Sequence, residues 1–230
     1  MRTLLTIAIG ILLPCSTLAR SNSPAEQRGS DDVSDAKLRG VLLSFGAGYG
    51  IPFGDERKNN SGTTVPLDRN ISGKFPVVCS AGYRLIPLFS VGLAFSYAPM
   101  LTQNCPAGRS CSANNMILEG ELRAHLASEA RFSPWISAQF GYEWLKLSES
   151  AAGVNNKATV EGLAFGFLVG GDYRVASDFT IGPFLGVRFG QYDHLSISNS
   201  NSLTVSADIP DANQAMHGWF VFGLRGVFTI

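Results

Sequence analysis

Alternation between large apolar residues and small or polar residues recurs along most of this chain and limits the fold more than any other feature. It is clearest from Val41 to Ile51 and from Thr159 to Phe167. A period of two residues predicts β-strands whose two faces meet different surroundings. One face carries Phe, Leu, Val, Ile and Tyr, whereas the other carries mostly Gly, Ala and Ser. A narrow barrel filled by small side chains, with an apolar exterior in lipid, fits this pattern best.

The bulk composition agrees with a β protein and excludes several functions. The chain has 230 residues, of which 16% are charged, and its formal net charge is zero, so nothing favours binding to nucleic acid. Its 25 glycines are too many for a helical protein. After the first residues, no apolar run reaches the roughly 18 residues of a membrane-spanning helix.

The start of the chain predicts a signal peptide over residues 1–19. Arg2 supplies the positive charge, residues 4–13 the apolar core, and Thr17-Leu18-Ala19 a cleavage site. Two alternatives are a retained anchor helix, for which the core is short, and a lipoprotein acylated at Cys15, for which Pro14 is a poor neighbour. The mature chain then begins near Arg20, outside the cytoplasm.

The remaining cysteines agree with export. Cys105 and Cys111 lie six positions apart in a polar segment, and we predict a loop disulfide between them. The spacing does not suit a zinc knuckle, and no His, Cys or Asp cluster has the spacing of a metal site. Cys79 falls on the apolar face of its strand and is predicted to be a small buried hydrophobic residue.

The chain divides into a polar lead-in at 20–37, predicted to be flexible and periplasmic, and a barrel domain at 38–230. Within the barrel domain eight antiparallel strands are predicted, each long enough to cross a bilayer at a tilt. They are expected at 38–53, 74–86, 88–100, 115–127, 133–148, 158–175, 179–195 and 215–230. The fold class is therefore all-β, an eight-stranded, up-and-down transmembrane barrel.

The connections between these strands alternate between long and short. Those at 54–73, 101–114, 149–157 and 196–214 are long and polar, while those near 87, 128–132 and 176–178 are tight. Long extracellular loops and short periplasmic turns are typical of bacterial outer-membrane barrels. An even number of strands then leaves both termini in the periplasm.

The aromatic residues form two predicted belts on the outer face, at the heights where a membrane meets water. The periplasmic belt consists of Tyr83, Phe89, Trp135, Tyr173, Phe179 and Phe228. The extracellular belt consists of Tyr49, Phe53, Phe75, Tyr97, Trp144 and Phe189. A soluble lipocalin-like barrel or sandwich, the alternative fold, has no reason to sort aromatic residues by height.

Charged residues also fall on the inward face, and they are the candidate site. Strand parity places ten ionisable residues in the lumen: Arg84, Glu119, Glu121, Arg123, His125, Glu143, Asp172, Arg174, Arg188 and Arg225. Because a lumen of eight strands is only wide enough for side chains, we expect these charges to pair and close it. A narrow polar pore, or a catalytic pair among Glu119, Glu121 and Glu143, are the alternatives.

Three segments resemble strands of small eight-stranded outer-membrane barrels of the OmpX, OmpA-barrel and OmpW type. They read SFGAGYG at 44–50, WISAQFGY at 135–142 and FLGVRF at 184–189. The resemblance covers about residues 38–230 and implies a Gram-negative cell envelope, lipid and lipopolysaccharide as surroundings, and a monomer. The last strand resembles the signal read by the barrel-assembly machinery, although it ends in Ile230 rather than in an aromatic residue.

One short motif resembles the site of lipid A 3-O-deacylases, which are also eight-stranded barrels. His194, Ser196 and Asp208 would be the base, the nucleophile and the orienting acid. The residues at 197–199 depart from that family's pattern, and parity is expected to turn His194 inward, away from a lipid substrate.

We therefore expect a non-enzymatic protein without cofactor or metal. Its lumen is closed by ion pairs, and its extracellular loops serve surface integrity or adhesion. An OmpW-like narrow channel for small or hydrophobic solutes is the second hypothesis, and a membrane hydrolase is the third.

Overall fold

The computed structural model describes residues 40–58, 63–151, 154–199 and 204–230, which form one antiparallel sheet closed into a barrel. The predicted signal peptide at 1–19 and the predicted lead-in at 20–37 lie outside the described residues. The strands are β1 (Gly40–Lys58), β2 (Thr64–Pro66), β3 (Ile71–Lys74), β4 (Val77–Ile86), β5 (Phe89–Thr102), β6 (Ser110–His125), β7 (Phe132–Ala151), β8 (Val154–Arg174), β9 (Phe179–Asn199), β10 (Thr204–Asp208) and β11 (Met216–Thr229). Two short 3₁₀ turns span Leu67–Arg69 and Asp211–Asn213. No helix among the described residues has the length and apolarity needed to cross a membrane.

Eight walls close the barrel: β1, β3 with β4, β5, β6, β7, β8, β9 and β11, while β2 and β10 pair only with the extended ends of β1 and β9. This ring of eight confirms the predicted fold class. β1 pairs with β11 from Leu42 opposite Thr229 to Gly54 opposite His217, joining the first wall to the last. β3 and β4 act as one wall between β1 and β5, interrupted at Pro76, which has no N–H to donate. The ladder continues across the break because the Gly48 N–H donates to the Pro76 carbonyl oxygen at 3.0 Å.

Much of the segments predicted as long loops is strand. β1 runs on to Lys58, β7 and β8 reach Ala151 and Val154, and β9 continues to Asn199 and pairs with β10. Above the membrane neither face meets lipid, so the alternation that identifies a strand fades although the hydrogen-bonded ladder continues. The prediction at 101–114 also overlaps the strands, because β5 ends at Thr102 and β6 begins at Ser110. All four long-loop predictions, at 54–73, 101–114, 149–157 and 196–214, are therefore wrong in part.

The outer wall is an apolar belt. Phe45, Leu93, Phe140, Leu185 and Leu224 are each 60–65% exposed, as side chains that face lipid would be. Aromatic rings pack together at both ends of this belt. Phe53 lies 4.6 Å from Phe220 and 5.7 Å from Phe189 between ring centroids, and Phe179 lies 4.6 Å from Phe228.

Trp135 is the exception among the predicted belt residues, and its assignment is wrong. It points into the lumen and is 1% exposed. On β7 it shares the inward face with Ser137, Gln139 and Glu143, so strand parity already indicates this orientation.

The cysteines give one confirmed and one wrong prediction. Cys105 and Cys111 form the predicted disulfide next to the start of β6. Cys79 is exposed on the outer face of β4 rather than buried, because the apolar face of this barrel looks outward.

Candidate functional site: the lumen and the long-loop end

All ten predicted lumen residues lie on the inward face, and most of them are buried. Arg84 and Arg174 are half-buried near the short turns. The carboxylates come into contact with cations in successive layers along the barrel axis.

In the middle layers, Glu119 and Glu121 each contact an arginine. Arg188 Nη2 donates to Glu119 Oε1 at 2.5 Å and to Gln139 Oε1 at 3.1 Å. Arg123 donates to both carboxylate oxygens of Glu121, at 2.7 and 2.8 Å. Since both carboxylates are held by arginines, neither is a free acid or base, which argues against a catalytic pair.

The next layer toward the short turns is built around Asp172. Arg225 donates from Nε to Oδ1 at 3.1 Å and from Nη2 to Oδ2 at 2.6 Å, a two-pronged contact. Trp135 Nε1 donates to Asp172 Oδ1 at 3.1 Å, and the Arg225 guanidinium stacks 3.8 Å from the centre of the Trp135 ring.

The layer nearest the long loops converges on Glu143. Asn115 Nδ2 donates to Glu143 Oε1 at 2.7 Å, and His217 Nε2 lies 3.0 Å from Oε2. Lys74 Nζ donates to Asn115 Oδ1 at 2.7 Å and lies 4.0 Å from the centre of the Trp219 ring. Lys74 and His217 are completely buried. Tyr192 Oη donates to Glu143 Oε1 at 3.5 Å. We call this cluster of Lys74, Asn115, Glu143, Tyr192 and His217 the Glu143 node.

Two glycines make room for the Glu143 node. A Cβ at Gly190 would lie 2.6 Å from Glu143 Oε2 and 2.6 Å from the His217 ring. A Cβ at Gly50 would lie 2.9 Å from the Lys74 side chain. Lys74 is the direct cross-strand partner of Gly50, and His217 is that of Gly190, so small residues on one strand make room for large polar side chains of the neighbouring strand.

Little space remains in the middle of the lumen. Two cavities there have volumes of about 40 and 10 Å³, enough for a few water molecules.

A much larger cavity opens above the Glu143 node, at the long-loop end, and we call it the cup. Its volume is about 770 Å³. Its apolar lining consists of Val65, Leu147, Ala158, Val160, Leu195, Ile197, Ala207, Ile209 and Pro210. A second cavity of about 420 Å³, next to the disulfide, shares Leu147, Ala158 and Ile197 with it.

The charged lining of the cup comes mainly from the end of β1: Glu56, Arg57 and Lys58. Burial raises the pKa of the Glu56 carboxyl, an effect that the charges of Arg57 and His217 only partly offset. The described residues contain no cluster of His, Cys, Asp and Glu that could hold a metal ion.

No family model matches the sequence, and neither does any curated protein. Solved structures do match it. A major outer-membrane protein of Thermus thermophilus is 12% identical, with a TM-score of 0.52 over 82% of this chain and 99% of that one. The chain has the fold of the small outer-membrane β-barrel proteins. Neisserial surface protein A (12% identity, TM-score 0.47, 83% and 97% of the two chains) and Ail of Yersinia pestis (11%, 0.46, 81% and 99%) also match.

In this barrel, a bulge changes the face on which the deacylase-like motif lies. Glu161 pairs with His194 and Gly162 with Tyr192, so Asp193 is an extra residue in β9. Tyr192 points inward, Leu195 and Ile197 line the cup, and His194 therefore turns outward. The expectation that His194 points into the lumen is wrong.

The β9–β10 pairing brings two of the three motif residues together. His194 Nδ1 lies 2.9 Å from Asp208 Oδ1 across the β9–β10 pairing, and Ser206 Oγ donates to Ser196 Oγ at 3.1 Å.

Sequence reasoning missed Lys74, Asn115, Tyr192 and His217, four members of the Glu143 node. Asn115 and Lys74 lie at the beginning of predicted strands, where parity is hardest to assign, and Tyr192 and His217 lie near other predicted strand ends. A signal was available for Asn115, because it shares its parity with Glu119, Glu121 and Arg123 along one strand.

Proposed function

We propose that this chain is a non-conducting outer-membrane protein whose barrel is an anchor and whose cup and long loops act at the cell surface, in surface integrity or adhesion. In this proposal the long-loop end is extracellular and both termini are periplasmic. Lipid and lipopolysaccharide surround the barrel, which the assembly machinery inserts through its last strand. The observation that carries the proposal is the contrast between a lumen filled by paired side chains and an open cup directly above it.

The filled lumen argues against transport through the barrel. A solute that leaves the cup would have to displace the Glu143 node and then three layers of ion pairs. Separating a buried pair leaves charges without partners in a medium of low polarity, which costs several kcal/mol per ion. The side chains of Arg225 and Lys74, which stack on Trp135 and Trp219, add to this barrier.

The cup has the features of a binding site. Its volume of about 770 Å³ lies in the range of cavities that hold small ligands, and its walls are mainly apolar with a few charged groups. It is built on strands that extend the barrel wall, so its shape is held by backbone ladders.

The double variant Leu195→Asp, Ile197→Asp tests the role of the cup. Both side chains line the cup, and neither contributes to the ion pairs. A strain that lacks the chain would be complemented with the wild type or with the variant. Attachment to a collagen-coated surface and survival in bile salt would then be compared.

The proposal expects the wild type, and not the variant, to restore at least one of these two properties, with both proteins equally folded by heat-dependent gel mobility. Full complementation by the variant would contradict a role for the cup. A steady single-channel current from the purified wild type would instead favour the OmpW-like channel.

A hydrolase is a second candidate, favoured by the bulge at Asp193. With Nδ1–H donated to Asp208, His194 presents Nε2 as a base on the same outward face as Ser196. Ser196 would attack the ester carbonyl of a lipid acyl chain and pass its proton to His194, which returns the proton to the departing alcohol and leaves the acyl chain on Ser196. A water molecule deprotonated by His194 would then attack this acyl-serine ester, release the fatty acid and restore the Ser196 hydroxyl.

Mass spectrometry of lipid A from expressing cells tests the hydrolase. If the chain is a hydrolase, lipid A from cells expressing the wild type lacks one acyl chain, whereas lipid A from cells expressing Ser196→Ala keeps all of them. Ser198→Ala, in the same strand, is the control. An unchanged lipid A mass with the wild type would remove this candidate.

A further inference from the structure

Cations outnumber carboxylates between the short turns and the Glu143 node. The cations facing the lumen there are Lys74, Arg84, Arg123, Arg174, Arg188 and Arg225. The carboxylates are Glu119, Glu121, Glu143 and Asp172. Six cations thus face four carboxylates, and a closed lumen has to accommodate the difference.

The carboxylates are all engaged elsewhere. Glu119, Glu121 and Asp172 hold Arg188, Arg123 and Arg225. Glu143 holds His217 and reaches Lys74 through Asn115. The two cations left over, Arg84 and Arg174, both lie at the mouth of the barrel formed by the short turns.

The contacts of these two half-buried arginines are weak for guanidinium groups that face a closed lumen. Arg84 Nη2 lies 3.5 Å from both ring nitrogens of His125, a group without negative charge, and that ring is also 3.1 Å from Ser90 Oγ. Arg174 Nη2 donates to the Ser128 carbonyl oxygen at 3.1 Å. Neither arginine lies within 4 Å of a carboxylate oxygen of the described residues.

A small cavity lies between these groups. Its volume is about 50 Å³, and Arg84, Ser133, Arg174 and Thr180 contribute to its lining. Arg84 Nε and Ser133 Oγ are buried and have no hydrogen-bond partner among the described protein groups. Unsatisfied donors on two sides of a cavity between guanidinium groups are the features of an oxyanion site.

We propose that the short-turn mouth binds a phosphate-class oxyanion between Arg84 and Arg174, with the Ser133 hydroxyl as a further donor. This site lies at the end of the barrel opposite the cup and does not depend on the function proposed above. The anion comes from a soluble phosphate compound or from the headgroup of a phospholipid in the adjoining leaflet, since both present the same oxygen atoms.

Two acidic residues also line this cavity and have to be considered. Asp172 is held by Arg225 and Trp135, and Asp178 accepts a hydrogen bond from Ser177 Oγ at 3.4 Å. Arg131 is at the same end, stacked 4.9 Å from the centre of the Tyr173 ring and outside the cavity lining. Arg131→Gln therefore provides a control that removes a positive charge at the same end of the barrel but outside the cavity.

Isothermal titration calorimetry of the full chain, folded in a zwitterionic detergent, tests the site. Inorganic phosphate would be titrated at constant ionic strength into the wild type, into Arg84→Gln with Arg174→Gln, and into Arg131→Gln. Loss of charge-assisted hydrogen bonds is expected to weaken binding at least about tenfold in the double variant and to leave Arg131→Gln unchanged. Gel mobility with and without heating verifies that each protein is folded.

The second arm compares urea unfolding in phosphatidylcholine vesicles with and without phosphatidylglycerol. If free phosphate does not bind but phosphatidylglycerol raises the midpoint of the wild type and not of the double variant, the source is a lipid headgroup. The proposal is overturned if neither arm responds, if the double variant responds like the wild type, or if Arg131→Gln abolishes the response equally.

Discussion

The middle of the lumen and the cup above it share the same barrel wall but are filled in opposite ways. In the middle, carboxylates meet arginines and large side chains leave cavities of only about 40 and 10 Å³. In the cup, apolar side chains surround about 770 Å³. The first arrangement seals and fixes a structure, whereas the second can admit a ligand.

The same contrast holds for two ion pairs that each join an arginine to a carboxylate. Arg225 and Asp172 are each 6% exposed, whereas Arg109 and Glu149, at the rim, are 48% and 35% exposed. Removing one partner of a buried pair leaves the other charge uncompensated, whereas water solvates the partner at the rim. The comparison predicts that sensitivity to substitution falls steeply from the lumen to the rim.

The largest effect is expected for Arg225→Ala, which leaves Asp172 buried without its two-pronged partner. We expect the free energy of unfolding in urea, measured in lipid vesicles, to fall by about 3–5 kcal/mol. Arg109→Ala, the matched change at the rim, is expected to cost less than about 1 kcal/mol. Glu121→Ala should also lower the midpoint, because it strands Arg123. If neither lumen variant lowers it, the lumen is not held by ion pairs.

A smaller effect is expected for Gly190→Ala, because the added methyl group would press on Glu143 and His217. Overpacking of this kind costs about 1–3 kcal/mol. Gly120→Ala is the control, since a Cβ there would have only the Phe140 carbonyl oxygen nearby, at 3.8 Å. Equal unfolding midpoints for the two variants would mean that the Glu143 node is not packed against β9.

A still smaller effect on stability is expected for Val160→Asn, which changes the wall of the cup without breaking an ion pair. Val160 is buried next to open space, so the change should cost about 1–2 kcal/mol. Ala164→Asn, four residues along the same inward face of β8 but inside the packed lumen, should cost more because it also overpacks. If the two costs are reversed, the cup is not open.

The smallest effect is expected for Glu56→Gln and appears as a pH dependence. The pKa of Glu56 is raised above its ordinary value of 4.5, so the folded chain keeps this proton at pH values where the unfolded chain has lost it. Stability due to Glu56 is therefore greatest at low pH and decreases as the pH rises from 4.5 through the folded-state pKa. Glu56→Gln should remove this decrease and stabilise the chain at neutral pH. Glu149→Gln is the control at the rim and should leave the decrease in place.

The strand pattern predicted the barrel because each transmembrane strand separates lipid from a crowded interior, which is what a period of two records. The same parity placed Glu119, Arg188 and Arg225 in the lumen. It could not tell that Glu119 meets Arg188 or that Asp172 meets Arg225, because partners on non-adjacent walls depend on the stagger of the barrel.

The errors have equally local causes. One extra residue, Asp193, moves every later residue of β9 to the face opposite the predicted one. No feature of the sequence at 192–194 predicts this bulge. Trp135 was assigned by its aromatic character rather than by its parity with Ser137 and Glu143. The sequence does not predict the cup because its lining includes strand ends such as those at Lys58 and Ile197, where alternation no longer distinguishes two faces.

Single-channel recording in planar bilayers tests the central claim, a sealed lumen beneath an open cup, most directly. The wild type is expected to give no steady current, while Arg188→Ala combined with Glu119→Ala, which removes the middle pair and enlarges the cavity beside it, is expected to give discrete openings. A steady current from the wild type that is unchanged in the double variant would mean that ions bypass these side chains, and the sealed lumen would be contradicted.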